Sequence, residues 1–409
     1  MRLSQELDLG LVIAVAMAAS FGVTMIFSAA GGSALWRSQA LFAVLGLLLM
    51  VLVVYVPNRV FYDLAYPAFG AALVLLVVVL FWGTGDPARW LSLTPSGALQ
   101  FQPSEFAKTA TVLAMARYLA DQSPERMGHP RVIAGALLLA ALPMALVARE
   151  PDLGTSIAYP AALLPMLYWA GLRPLHIFFL VAPFLSVAFS FEELWQVQAP
   201  IVFALFIIVS SVVIQLLLSR LWVTLSLLAL NLSAGLVTVY LWKSMLHDYQ
   251  KARILTFLDP ERDALGAGWN IIQSKIAIGS GGPMGKGYLE GTQTKYEFLP
   301  AAHTDFIFSV VGEELGFMGA VFVLSLFLFV IWRALYIGTV ANSRFGSLLA
   351  VGLAAMLTFH VFVNVGMTIG VMPVAGLPLP FLSYGGSSLL TNCIATGLLL
   401  HVYAHRHEY

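Results

Sequence analysis

The chain has 409 residues, 60% of them hydrophobic and 10% charged, with a mean hydropathy of +0.87. Soluble domains carry about 25% charged residues, so these charges are too few to cover a water-facing surface. The composition is that of a polytopic membrane protein and excludes a secreted disulfide scaffold, a coiled coil, a disordered regulator and a basic nucleic-acid binder. Lys+Arg and Asp+Glu are both 21, so net charge points to no partner, and the one cysteine, Cys393, cannot form an internal disulfide.

A bilayer core is about 30 Å thick and takes roughly 20 apolar residues per helix. By that measure twelve spans are expected, at 9–29, 37–56, 60–82, 104–120, 132–148, 154–171, 175–190, 200–219, 221–241, 306–333, 345–370 and 384–404. The first reads as a retained helix. Its leader sets Arg2 against Glu6 and Asp8, and its apolar run is long for a signal peptide. An N-terminus inside puts Arg2, Arg59, Arg117, Arg126, Arg131, Arg173, Arg220, Arg333, Arg344 and Arg406 on the cytoplasmic side. Only Arg37, Arg89 and Arg149 fall in the opposite short loops, so both termini are expected in the cytoplasm.

Glu105 and Lys108 open the span at 104–120 and are neighbours on one helix face. Charges inside a membrane are rare unless paired or functional, so the two read either as a structural ion pair or as part of a substrate site.

The long connection at 242–305 is expected outside the membrane. It holds Lys243, Lys251, Arg253, Arg262, Lys275, Lys286 and Lys295, together with aromatic and aliphatic residues that argue against disorder. Trp269, Ile272 and Ile276 share a face, which predicts a short interfacial helix over 268–278. The run GSGGPMGKG at 279–287 fits neither a Walker loop nor a dinucleotide loop. It reads as a flexible turn, or as a place where Lys275 and Lys286 meet an anionic head group.

His303, Thr304 and Asp305 precede the span at 306–333. Thr304 as helix N-cap with Asp305 in the first turn is one reading; Asp305 as a general base is another, and capping does not exclude it. Ser309, Gly312 and Gly316 lie on much the same face as Asp305, so a neighbouring helix is expected to approach closely there. Glu313 and Glu314 need internal partners. His360 and Asn364, four apart, read as helix–helix hydrogen-bonding groups. Pro373, Gly376, Pro378 and Pro380, followed by SYGGSS at 383–388, predict a non-helical wall to a site or a tight turn.

Together these segments resemble the SEDS family (shape, elongation, division and sporulation; the RodA/FtsW/SpoVE proteins) over nearly the whole chain. The resemblance rests on RW at 89–90, FQPSEFAK at 101–108, EPDLGT at 150–155, HDYQ at 247–250, LDPE at 258–261 and GWNIIQSKIAIGSGG at 268–282. It continues through GTQ at 291–293, EFLP at 297–300, HTDFIF at 303–308, EELG at 313–316, FVNVG at 362–366 and LPFLSYGGS at 379–387. The SKIAIG and GTQ wording is nearer the elongation branch than the division branch.

The resemblance implies an all-α transmembrane bundle forming a single integral membrane domain in the bacterial inner membrane. It implies a peptidoglycan glycosyltransferase that polymerises lipid II into β-1,4-linked glycan outside the membrane. The family's essential aspartate maps onto Asp305, as general base on the acceptor GlcNAc 4-hydroxyl with undecaprenyl pyrophosphate leaving. Lys275, Lys286 and Lys295 are the expected neutralisers of that pyrophosphate, with Arg253 and Arg262 behind them. Gln273, Ser274, Gln293, His303, Thr304, Ser383 and Tyr384 are expected to line the substrate site. Glu105 and Lys108 match the family's intramembrane pair. No organic cofactor is implied, and a divalent cation, Mg2+ or Mn2+, is the alternative to lysines at the pyrophosphate.

The chain lacks transpeptidase motifs, so a class B penicillin-binding protein of the elongation complex is the expected partner. A lipid II flippase and a non-catalytic scaffold are the competing readings. The chain departs from the family twice. The family typically has ten spans, whereas 154–243 has room for four instead of two, and the linker after Trp90 lacks the usual glycine.

Overall fold

A computed structural model describes residues 7–85, 89–92, 100–191, 198–244, 251, 255–266, 268–296 and 298–407. The motif at 247–250, Arg253, Glu297 and most of the linker after Trp90 lie outside the described residues, as do the side chains of Lys243 and Arg262.

The described chain is helical almost throughout. In order it forms α1 (Leu9–Ala29), α2 (Leu35–Val54), α3 (Asn58–Trp82), α4 (Pro103–Ala120), α5 (Pro130–Arg149), α6 (Leu153–Trp169), α7 (Pro174–Ser190), α8 (Ala199–Leu218) and α9 (Leu221–Ser244). There follow α10 (Trp269–Ser280), the four-residue α11 (Thr292–Lys295), α12 (Ile307–Glu314), α13 (Gly316–Val340), α14 (Arg344–Thr368) and α15 (Gly386–Ala404). The sheet is a two-residue pairing, β1 (Leu91–Ser92) with β2 (Gln100–Phe101).

Every expected span falls on helix, but the count of twelve is not established. Nine of the described helices are long and apolar enough to cross a bilayer. α6 and α7 have 17 residues each, and α4 carries Glu105, Lys108 and Arg117, so these three fall short of the nine. The expected span at 306–333 is not one helix. It breaks at Leu315, where Gly316 has φ +64°, so Glu313 and Glu314 end a short separate helix instead of hanging two turns down a spanning one.

Two compact units divide the chain, residues 1–171 with 270–409, and residues 172–269. The long connection is therefore shared between them. In the first unit, 72% of the apolar window of α14 is buried, against 28% for α2, α3, α5 and α13. α14 is thus the unit's axis, and the outer helices leave Leu41, Val44, Leu48 and Leu52 of α2, for example, as an exposed apolar stripe for lipid. Asp8 caps α1 through Leu11 N at 3.1 Å and pairs with Arg333 of α13 at 2.7 Å. In the second unit, α7, α8 and α9 pack around Ala182, Ile214 and Leu227.

Candidate active site

Asp305 stands in a turn over 301–306, half-buried, immediately before α12. The turn is tight because Ala301 adopts φ +54° and its carbonyl takes Thr304 N at 3.1 Å and Thr304 Oγ1 at 3.2 Å. This overturns the capping reading. The N-cap position is Phe306, with no side-chain cap, and the first turn of α12 holds no acid.

The backbone around Asp305 is pinned at successive carbonyls. Tyr384 N donates to His303 O at 2.9 Å, Ser383 Oγ to Thr304 O at 2.6 Å, and Asn364 Nδ2 to Asp305 O at 2.9 Å. The same Asn364 amide reaches Leu377 O at 2.7 Å, and Ser383 Oγ accepts Leu379 N at 2.8 Å. Gln39 of α2 then holds the far side, donating to Ser383 O at 3.0 Å and accepting Gly385 N at 3.2 Å. The segment 373–384 is non-helical, as its prolines predict, and Gly376 faces the Asp305 carboxylate, Oδ2 lying 3.7 Å from where a Cβ would stand. His303 packs edge-on to Tyr384, and burial pushes its imidazole below the usual value, so the ring is uncharged at neutral pH.

α10 forms where the sequence predicts, with Ile271, Gln273, Ser274 and Ala277 buried and Ile276 exposed. Ser274 is fully buried; its hydroxyl donates to Thr368 O at 2.6 Å and lies 2.6 Å from Ser309 Oγ. The expected close neighbour of the Ser309–Gly312 face is therefore α10, whose Ile278 abuts Gly312. Lys275 is exposed and lays its stem against Gly370, just past α14.

The glycine-rich run is a packed double cap, not a flexible turn. Lys286 N and Gly287 N donate to the last carbonyls of α12, Glu313 O at 2.9 Å and Glu314 O at 3.0 Å. In the other direction Gly282 O and Pro283 O accept Phe317 N at 2.9 Å and Met318 N at 3.1 Å, the free donors opening α13. Gly285 has φ +82°, and a Cβ there would collide with the Glu314 carbonyl. Glu313, with no exposed surface, gathers Lys286 Nζ at 2.7 Å, Thr292 N at 2.8 Å, Thr292 Oγ1 at 2.8 Å and Gln293 N at 3.2 Å. Ser28 of α1 donates to Glu314.

Glu105 and Lys108 pair at 2.9 Å, both buried, and Lys108 Nζ lies 2.7 Å from His360 Nε2. His360 Nδ1 is 2.8 Å from Met356 O, so Nδ1 carries the proton and Nε2 accepts from the lysine.

The expected site residues thus fall into three sets. His303, Thr304, Asp305, Ser383 and Tyr384 come together; Lys286 and Gln293 meet at Glu313; Glu105 and Lys108 sit with His360. Lys295 is exposed at the end of α11. Sequence reasoning missed Gln39, although a buried amide in an apolar span is itself a signal. Among the described residues no three His, Cys, Asp or Glu side chains form a metal set.

The model of the FtsW/RodA/SpoVE family, described as a cell cycle protein, matches residues 7–206 and 200–408. The chain is 38% identical over 365 residues to the peptidoglycan glycosyltransferase MrdB of Escherichia coli K12, covering 88% of this chain and 84% of that one. It is 37% identical over 433 aligned positions to the peptidoglycan glycosyltransferase RodA of Treponema pallidum, covering 98% of each. In a solved peptidoglycan synthase complex that coordinates polymerization and crosslinking, one chain superposes with a TM-score of 0.74 at 33% identity, covering 98% of this chain and 99% of that one.

Proposed function

Because the chain belongs to the FtsW/RodA/SpoVE family, we propose that it is a peptidoglycan glycosyltransferase of the elongation branch, polymerising lipid II at Asp305. The observation that carries the reading is the pinning of three successive carbonyls, His303, Thr304 and Asp305, by donors from two other elements. A base contributes when its oxygen stays within hydrogen-bond reach of one hydroxyl, and this backbone holds a half-exposed carboxylate still.

In the reaction, Asp305 takes the proton of the acceptor GlcNAc 4-hydroxyl. The O4–C1 bond forms as the bond from C1 to the pyrophosphate oxygen breaks, with inversion, and the electron pair leaves on undecaprenyl pyrophosphate. That leaving group needs positive charge more than an acid. Lys286 already gives its charge to Glu313, so the exposed Lys275 and Lys295 are the stronger candidates.

Gln273, Gln293, His303, Thr304, Ser383 and Tyr384 shape the acceptor and donor surroundings, Ser274 by fastening α10. The whole chain acts as one domain of the bacterial inner membrane, with both termini cytoplasmic and the 242–305 segment and Asp305 outside. Cross-linking then falls to a class B penicillin-binding protein as partner.

The test reconstitutes the chain with such a partner in vesicles containing labelled lipid II. Asp305→Asn is expected to abolish glycan while leaving any lipid scrambling at its wild-type rate. Scrambling lost together with polymer would favour the flippase reading.

A further inference from the structure

Glu150, just past the end of α5, is 2% exposed, and neither carboxylate oxygen meets a hydrogen-bond partner among the described residues. Arg89 faces it from the α3–α4 connection but is committed elsewhere. Its Nε donates to the Glu150 carbonyl at 3.0 Å, another nitrogen donates to Pro151 O, and Nη1 lies 3.9 Å from Asp152 Oδ2. Asp152 in turn caps α6, accepting Thr155 N at 3.1 Å and Thr155 Oγ1 at 3.0 Å. On α6 the buried Tyr159 hydroxyl likewise meets no hydrogen-bond partner among the described residues.

This turn leads directly to Asp305. At Gly154 a Cβ would collide with the Ala375 carbonyl, so α6 begins in backbone contact with the 373–379 segment. The adjoining Gly376 faces Asp305 Oδ2, and Asn364 ties Leu377 O to Asp305 O.

We propose that Glu150 is a positioning residue for polymerisation, its turn pressing the Ala375–Gly376–Leu377 wall against Asp305. The proposal rests on Asp305 being the base. A buried carboxyl without a donor is stable only when uncharged. Burial, reinforced by the Asp152 carboxylate and opposed by Arg89, pushes Glu150 up to about 8. Below that value the neutral acid lets the turn close. Above it, a carboxylate beside Asp152 must draw in water, and the wall behind Asp305 loosens. The unfolded chain ionises this glutamate near its ordinary value of 4.5, so the folded chain holds the extra proton between there and about 8. Stability from this group is full in acid and lost as pH rises through the folded value.

The experiment measures lipid II polymerisation by the complex with its partner from about pH 6.5 to 9.5 for wild type, Glu150→Gln and Asp305→Asn. Wild type is expected to show a falling alkaline limb near pH 8. Glu150→Gln, a permanently neutral mimic, should stay within about threefold of wild type at pH 7, lack that limb, and leave the KM for lipid II within about twofold. A Glu150→Gln profile with the same alkaline limb as wild type overturns the proposal. Should that variant not fold, the wild-type thermal midpoint decides: a fall between about pH 5 and 8 that then levels supports the proposal, and a flat midpoint overturns it. Polymerisation surviving in Asp305→Asn would instead remove the base assignment, independently of the limb.

Discussion

Asp305 owes its backbone position to donors on other elements of the fold. Asn364 spends one amide on two carbonyls, Asp305 O and Leu377 O, so it fixes both Asp305 and the wall facing it. Truncating it to alanine frees the turn without removing the carboxylate. Asn364→Ala is therefore expected to lower kcat about 10- to 100-fold with little change in KM for lipid II, the pattern of a lost near-attack geometry. Initial rates over a range of lipid II concentrations check this; a raised KM at constant kcat would place Asn364 in substrate binding instead. Asp305 was legible in the sequence as a candidate, through family wording and a carboxylate beside a cationic loop. Of the groups that hold it, the sequence marks Ser383 as a site residue and Asn364 as a hydrogen-bonding group but not Gln39, and their convergence comes only from tertiary packing.

Between α12 and α13 the chain must satisfy the free carbonyls of one helix and the free N–H groups of the next. The run 279–287 does both, and Glu313 locks it by collecting Lys286, Thr292 and Gln293. Sequence periodicity sees 306–333 as one apolar helix. The break depends on glycine backbone lying against a segment about thirty residues upstream, which no local pattern encodes. Glu313 is buried and Lys286 partly exposed, so Glu313→Ala, which also strips Thr292 and Gln293 of their acceptor, is expected to cost about 1–3 kcal/mol. Thermal unfolding in detergent measures it. A single variant as stable as wild type would contradict the locking role.

At the scale of the molecule, apolar stripes face outward and polar side chains such as His360 and Asn364 turn inward along α14. That inversion is why composition alone identified the class, and why hydropathy placed helices correctly while leaving their number as true spans unsettled. The arginine bias predicts the sidedness, with both termini and the Arg126 connection inside and the 242–305 connection outside. Cys393 is buried and free, so the native chain offers little background for labelling. A Lys295→Cys variant is expected to react with a membrane-impermeant maleimide added outside intact cells, and an Arg126→Cys variant only after permeabilisation; the reverse pattern would invert the topology. The most direct test of the whole account is glycan synthesis by purified Asp305→Asn with its partner and labelled lipid II, alongside a binding measurement. The account predicts lipid II bound as tightly as by wild type and no glycan ladder; a ladder of wild-type length and yield would contradict it.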